Sequence, residues 1–313
     1  MIAIMAALVA ALACAGVLAM MLRFSSSRLP LDRPNARSLH DRPIPRVGGI
    51  AVLAGVALSA AADPAAWPTP LVVALVLAAV SLADDFYQLP VALRLVVHLA
   101  AASLTAWYLL SPMNLIALAL IAIAIAWITN LYNFMDGSDG LAAGMTIIGF
   151  GAYAAAAWFS GDAALASACA SLAGGALGFL AFNFHPARVF LGDVGSIPLG
   201  YLAAALGLVG LRADLWPLWF PLLVFAPFIG DATVTLLRRA LRGEKVWQAH
   251  REHYYQRLVR MGVGHRGTAL IAYALMLGCA SLALVAKDQA PTMQLLLVGA
   301  SILVLVSVAA GID

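Results

Sequence analysis

The chain has 313 residues, 64% apolar and only 11% charged, with a formal net charge of +3. A soluble globular chain carries about 25% charged residues, so the composition excludes a large soluble domain and points to a protein whose main solvent is lipid. Cys14, Cys169 and Cys279 lie singly inside apolar stretches, without disulfide-type or metal-type spacing, and read as small packing residues.

In chain order, hydropathy predicts eleven membrane spans, at roughly 2–22, 46–62, 69–83, 91–110, 113–131, 140–159, 163–182, 196–211, 215–238, 268–286 and 290–309. The first has no Lys or Arg ahead of its apolar run, so it reads as a membrane helix and not as a signal peptide. Several spans fall short of the ~20 residues a bilayer core requires, and their ends run into the neighbouring loops. Ala and Gly are abundant within them, which lets backbones approach where lipid supplies no hydrophobic drive to associate. The expected fold is all-α: a polytopic membrane helix bundle of about eleven transmembrane helices, forming a single domain over 1–313.

Arginine and lysine set the orientation. The loop after span 1 holds Arg23, Arg28, Arg33, Arg37, Arg42 and Arg46. The loop after span 9 holds Arg238, Arg239, Arg242, Lys245, Arg251, Arg257, Arg260 and Arg266. Loops on the opposite side contain only Arg212 and Lys287. The N-terminus is therefore expected outside, in the periplasm, and the C-terminus in the cytoplasm. The two long connections, 23–45 and 239–267, have the length at which loops usually carry function.

The remaining polar clusters fall on the same, cytoplasmic, side. Asp84-Asp85 follow span 3, Asn130 to Gly140 follow span 5, Asn183 to Ser196 follow span 7, and His250 and His253 follow span 9. The outer loops offer only Asp63, Asp162, Asp214 and Asp288, scattered singly. Adjacent carboxylates repel and are costly near hydrocarbon, so Asp84-Asp85 mark either a solvated helix end or a Mg²⁺ or phosphate site. Asn133, Asp136 and Asp139 are spaced by three, which would set neighbours on one helical face. Gly137 and Gly140 suggest a turn that lets backbone approach a ligand. A turn capped by Ser138 or Asp139 is the plainer alternative. Gly192-Asp193-Val194-Gly195-Ser196 opens span 8, where exposed N–H groups attract phosphate. A carboxylate there repels phosphate unless a cation such as Mg²⁺ sits between them; Ser196 as a simple N-cap is the alternative. His250 and His253 lack the further ligands of a zinc set. With their flanking arginines they suit a phosphate, or a basic helix lying on anionic lipid. Arg94 and His98 in span 4 and Asp231 in span 9 are ionisable groups within apolar segments, either functional or an internal ion pair. His185 and Arg188 read as solvated loop residues.

Taken together these motifs resemble the polyprenyl-phosphate N-acetylhexosamine-1-phosphate transferases, the MraY/WecA-type membrane enzymes. The resemblance rests on Asp84-Asp85, on Asn133-Phe134-Met135-Asp136-Gly137-Ser138-Asp139-Gly140, on Phe190-Leu191-Gly192-Asp193-Val194-Gly195-Ser196, and on the His250–His253 loop. The segment from Pro34-Asn35-Ala36-Arg37-Ser38-Leu39-His40 to Pro43-Ile44-Pro45-Arg46-Val47-Gly48-Gly49 is similar to the family's first cytoplasmic loop. The motifs run in the same order over nearly the whole chain. The resemblance implies an enzyme of the bacterial inner membrane that moves a sugar-1-phosphate from a UDP-N-acetylhexosamine to undecaprenyl phosphate and releases UMP. It implies Mg²⁺ as cofactor, with Mn²⁺ the alternative ion. Asp193 would be the metal ligand, and Asp84, Asp85 and Asp136 would lie at the reacting phosphates. Asn133, Asp139, Arg46, Asn183, His250 and His253 would bind substrate. Membrane lipid is an expected partner and nucleic acid is not; a homodimer is left open.

Two departures bear on the branch. Some members carry Lys three residues after the second Asp, where this chain has Gln88. The muramyl-pentapeptide branch has consecutive histidines, whereas His250-Arg251-Glu252-His253-Tyr254-Tyr255 looks more like the branch that starts O-antigen or related surface polysaccharides. Two rivals remain. A transporter would place its ionisable groups near the bilayer midplane between inverted repeats, and here they gather at one face with no internal repeat. A membrane prenyltransferase shares Asp-rich motifs and Mg²⁺, but its longer-spaced Asp pair is absent.

Overall fold

The computed structural model describes residues 1–24, 29–34, 38–62, 69–246, 248 and 250–313. Arg28, Asn35, Ala36, Arg37 and Asp63 lie outside the described residues. Within them the chain forms α1 (Ile2–Phe24), α2 (Gly48–Ala62), α3 (Pro70–Tyr87), α4 (Val91–Leu110), α5 (Leu115–Phe134), α6 (Leu141–Phe159) and α7 (Ala163–Asn183). There follow α8 (Asp193–Arg212), α9 (Trp219–Val224), α10 (Ala226–Leu241), α11 (Tyr254–Leu258), α12 (Gly264–Ala286) and α13 (Pro291–Ile312). The only sheet among the described residues is a two-residue antiparallel ladder, β1 (Leu31–Asp32) with β2 (Ile44–Pro45).

The protein is a polytopic membrane helix bundle. Among the described residues eight helical segments are long and apolar enough to cross a bilayer: α1, α4, α5, α6, α7, α8, the run Tyr254–Ala286 and α13. The other three predicted spans correspond to α2, α3 and the broken pair α9–α10. That break falls at Phe225, just before Pro227 near the start of α10. Proline has no N–H to give the preceding turn, and it lets the chain set out in a new direction.

Small residues govern the packing. A Cβ on Gly174 would lie 2.1 Å from the Ala7 carbonyl oxygen, and one on Gly178 would lie 2.3 Å from that of Ala11. This Gly-x-x-x-Gly face thus brings α7 onto the backbone of α1. The hub is α8, 89% of whose most apolar stretch is buried, against 6% for α13 at the periphery. Because α8 begins at Asp193, the most enclosed helix of the bundle delivers a carboxylate to one end of it. Asn114 and Asp162 cap α5 and α7 at the opposite ends of those helices, accepting from Ala117 N and Leu165 N.

Candidate active site

Three chain segments meet at the start of α8. Gly192 takes φ 72°, a conformation glycine adopts without steric cost, and turns the chain into the helix. Asp193 is thus the first helical residue. Ser196, the alternative cap, lies one turn inside and does not cap the helix. Asn133, in the last turn of α5, donates through Nδ2 to Asp193 Oδ1 (3.0 Å) and to Ser196 Oγ (2.8 Å). Arg46 from the first loop places Nη2 3.6 Å from Asp193 Oδ1, and Arg94 of α4 places Nη1 3.9 Å from Oδ2. Both are attractive contacts beyond hydrogen-bond distance.

Asp84 and Asp85 do not follow a span; they sit in the last turn of α3, which continues to Tyr87. Asp84 is satisfied: Arg94 Nη1 donates to Oδ2 at 2.8 Å, and Leu89 N donates to Oδ1 at 2.7 Å. Asp85 interacts electrostatically with Arg46, Asp193 and Asp84, but among the described residues its carboxylate accepts no hydrogen bond. Asp136, in the turn after α5, accepts from the Gly192 backbone. Burial, reinforced by the nearby Asp193 carboxylate, holds the Asp136 carboxyl well above the usual carboxylate range.

The first loop is pinned to this centre by backbone. Gly48 N and Gly49 N donate to the carbonyls of Phe190 (2.9 Å) and Leu191 (2.8 Å), and Phe190 N donates to Pro45 O (2.8 Å). A Cβ on Gly49 would fall 2.3 Å from Gly195 N. The two glycine motifs therefore meet backbone to backbone, which fixes Arg46 beside Asp193.

Asn133, Asp136 and Asp139 do not share a helical face, because α5 ends at Phe134 and the next residues form a turn. Asp139 faces elsewhere. Its Oδ2 lies 2.7 Å from His185 Nδ1 and accepts from Ala187 N at 3.1 Å, and its Oδ1 lies 3.9 Å from His265 Nδ1. His265 also contacts Ser138 Oγ (2.9 Å) and Leu39 O (3.0 Å), and its ring stacks on His185 at 5.4 Å. Asn183 is likewise engaged, accepting from Gly140 N and donating to Val189 O, both at 2.9 Å. In this structure Asp139 and Asn183 tie the motif turns together, and Gly140, not Asp139 or Ser138, precedes α6. His185 is no free loop residue. No local pattern marks it or His265, which lies far along the chain.

His250 and His253 pack ring to ring at 4.7 Å, and His253 stacks on Phe134 at 6.4 Å. The pair thus borders the Asn133–Asp136 segment. Burial, with His253 close by, lowers His250 to about 4. His250 is therefore neutral at neutral pH. Asp231 of α10 holds His253, with Oδ1 3.1 Å from Nδ1.

The donor set suits a hard divalent ion. The Asp193 carboxylate repels both Asp85 and Asp136, and these acids have few donors, a situation that an oxygen-seeking cation relieves. Among the described residues no three His, Cys, Asp or Glu side chains close on one point as a ready-made cage. Mg²⁺ does not need one, since it binds through one or two carboxylates with substrate phosphates and water completing its shell.

A one-ended acidic site on a membrane helix bundle, flanked by arginines and imidazoles, defines a class of membrane-embedded enzyme that handles phosphates. Comparison with known sequences gives the family. Residues 67–211 match glycosyl transferase family 4. The chain is 31% identical over 264 residues to a probable undecaprenyl-phosphate N-acetylglucosaminyl 1-phosphate transferase of Bacillus subtilis, covering 78% of this chain and 74% of that one. It is 30% identical over 305 residues to the decaprenyl-phosphate N-acetylglucosaminephosphotransferase of Mycobacterium tuberculosis, covering 80% and 74%. A shorter match, 49% identical over 81 residues, is to a phospho-N-acetylmuramoyl-pentapeptide-transferase of Geobacillus, covering 26% of this chain and 25% of that one. The chain belongs to the polyprenyl-phosphate N-acetylhexosamine-1-phosphate transferases, the MraY/WecA-type branch of glycosyl transferase family 4.

Proposed function

We propose that this protein transfers an N-acetylhexosamine-1-phosphate from a UDP-sugar to undecaprenyl phosphate, releasing UMP, as the first membrane step of an O-antigen-like surface polysaccharide. The observation that carries the reading is the gathering of Asp84, Asp85, Asp136 and Asp193, with Arg46 and Arg94, at one end of the bundle. The family supports the acceptor and the reaction type, and the one-sided arginines support a cytoplasmic site in the bacterial inner membrane. Such a face is where a soluble nucleotide and a lipid phosphate can meet.

The acceptor phosphate attacks the β-phosphorus of the donor. A new P–O bond forms, the bond to the bridging oxygen breaks, and UMP leaves with that electron pair. A phosphate monoester has a second pKa near 6, so the nucleophile is already mostly dianionic at neutral pH. Positioning and charge neutralisation therefore matter more than a strong base. Asp84 is occupied by Arg94, which leaves Asp85 as the carboxylate free to orient the incoming phosphate. Arg46 and Arg94 offset charge beside Asp193. Asp193, with Asp85 or Asp136, would hold Mg²⁺, which when bound screens the charge developing on the phosphate oxygens.

The test is reconstitution of the full chain with undecaprenyl phosphate, Mg²⁺ and a panel of UDP-N-acetylhexosamines, following UMP. Release of UMP with one of them is expected; release of inorganic diphosphate would mark a prenyltransferase, and no product with any would overturn the reading. Incubation with UDP-sugar alone decides the route: an Asp-linked phosphosugar adduct would replace direct attack by a two-step transfer.

A further inference from the structure

Asp231 lies in the second turn of α10, just past the proline break, with a side chain only 8% exposed. Nothing in the transfer reaction as derived above uses it. A carboxylate enclosed this far within apolar helices needs donors, and it finds its close ones at the start of α11. Tyr254 N donates to Oδ1 at 2.9 Å and Tyr255 N to Oδ2 at 3.0 Å, while His253 Nδ1 lies 3.1 Å from Oδ1. Thr235 Oγ1 adds a longer contact at 3.3 Å from its own helix.

We infer that Asp231 is the positioning residue for His253, fixing its ring so that Nε2 is presented to the phosphates of the nucleotide donor. The inference rests on the proposed transfer reaction and names the residue that aims one of its ligands. A carboxylate accepts only, so Nδ1 must carry the hydrogen. That leaves Nε2 as the ring atom with no hydrogen-bond partner among the described residues; with a proton there as well it is a donor, and the Asp231 carboxylate balances the charge. The ring has little freedom. It is 3% exposed, parallel within 15° to Tyr255 at 5.8 Å, and stacked on Phe134. Tyr255 Oη in turn donates to Phe134 O at 3.0 Å, and a Cβ on Gly137 would fall 2.2 Å from that same hydroxyl. One carboxylate of α10 thereby locks the histidine loop onto the end of α5, the segment that bears Asn133 and Asp136. The titratable groups facing His253 are Asp231 of α10, His250 of its own loop and Tyr255 of α11; α5 contributes the uncharged Phe134.

The experiment is a double-mutant cycle in the full chain with UDP-GlcNAc, or whichever UDP-sugar is turned over, as the probe. Asp231→Asn should raise the KM for the nucleotide about tenfold, the size of one lost charge-assisted contact, and leave the KM for undecaprenyl phosphate within about twofold. His253→Gln should raise the nucleotide KM by a similar factor. The double variant should be no worse than His253→Gln alone, because the carboxylate acts through the ring. Multiplying effects would overturn the inference, as would an Asp231→Asn enzyme with reduced thermal stability and an unchanged nucleotide KM. Should Asp231→Asn not fold, Asp231→Glu completes the same cycle: the longer side chain should displace the ring and raise the nucleotide KM severalfold only when His253 is present. A wild-type enzyme that releases no UMP defeats the transfer reading itself, which is a different outcome from an active wild type with an indifferent Asp231.

Discussion

Asp136 and Asp139 stand three residues apart on one turn and live under opposite rules. Asp139 is saturated by His185 and the Ala187 amide, with His265 alongside. Asp136 has the Gly192 amide, and among the charges that act on it the carboxylate of Asp193 outweighs Arg46. The same contrast divides the rest of the acids at this end of the bundle. Asp231 and Asp84 are filled with N–H donors, while Asp85 accepts no hydrogen bond among the described residues and Asp193 has the Asn133 amide, with its arginines beyond hydrogen-bond distance. Buried carboxylates that are fully bonded hold a fold together; those left short of donors keep electron pairs for something that is not protein.

The contrast breaks most visibly at Asp193. Asp193→Asn should lower turnover on the order of a thousandfold, the scale of removing a preorganised electrostatic group from a phosphoryl-transfer site, with the thermal midpoint little changed. A folded variant with near-normal Mg²⁺-dependent UMP release would show that Asp193 is not the metal ligand. Asp139→Asn should do the reverse. Its amide oxygen can still receive the His185 ring and the Ala187 N–H, but the negative charge is lost and an NH2 group stands where Oδ1 faced His265; losing hydrogen bonds to a charged acceptor costs about 2 kcal/mol. Denaturant or thermal unfolding in detergent should report that loss, while the nucleotide KM of the remaining folded enzyme stays near wild type.

Much of this division was not legible in the sequence, for physical reasons. The apolar segments could be read because a helix in lipid must satisfy its own backbone and present apolar side chains; each falls on helix in the structure, eight of them in segments that, among the described residues, are long and apolar enough to cross a bilayer. Arg46, Asp84, Asp85, Asn133, Asp136 and Asp193 could be singled out because polar motifs recurred at one set of junctions, and the structure brings them together. The end of α3 was misjudged, since two acids beside hydrocarbon look like a boundary. Arg94 and the Leu89 amide, supplied from the next helix and its loop, let the helix run on through both. Which carboxylates are saturated depends on partners such as His265, 126 residues from Asp139 along the chain. No local pattern announces contacts at that separation.

The subtlest expectation concerns Asp136 and pH. Its carboxyl is pushed up in the folded state by burial and by Asp193. The folded chain therefore holds that proton at pH values where the unfolded chain has released it. Stability contributed this way is present at low pH and is lost as pH rises from the ordinary carboxylate range through the raised value. Asp136→Asn removes the charge altogether. The variant should gain on the order of 1 kcal/mol near neutral pH, as expected when a strained functional site is relaxed, and should gain nothing at low pH, where the wild-type carboxyl is already neutral. Thermal unfolding of both proteins without divalent ions, at several pH values, makes the comparison. Added Mg²⁺ should then raise the midpoint of the wild type more than that of Asp136→Asn, because only the wild type has that repulsion left to relieve. Equal midpoints across the whole pH range would place Asp136 among the saturated acids, and the line between the two classes would have to be redrawn one residue type at a time.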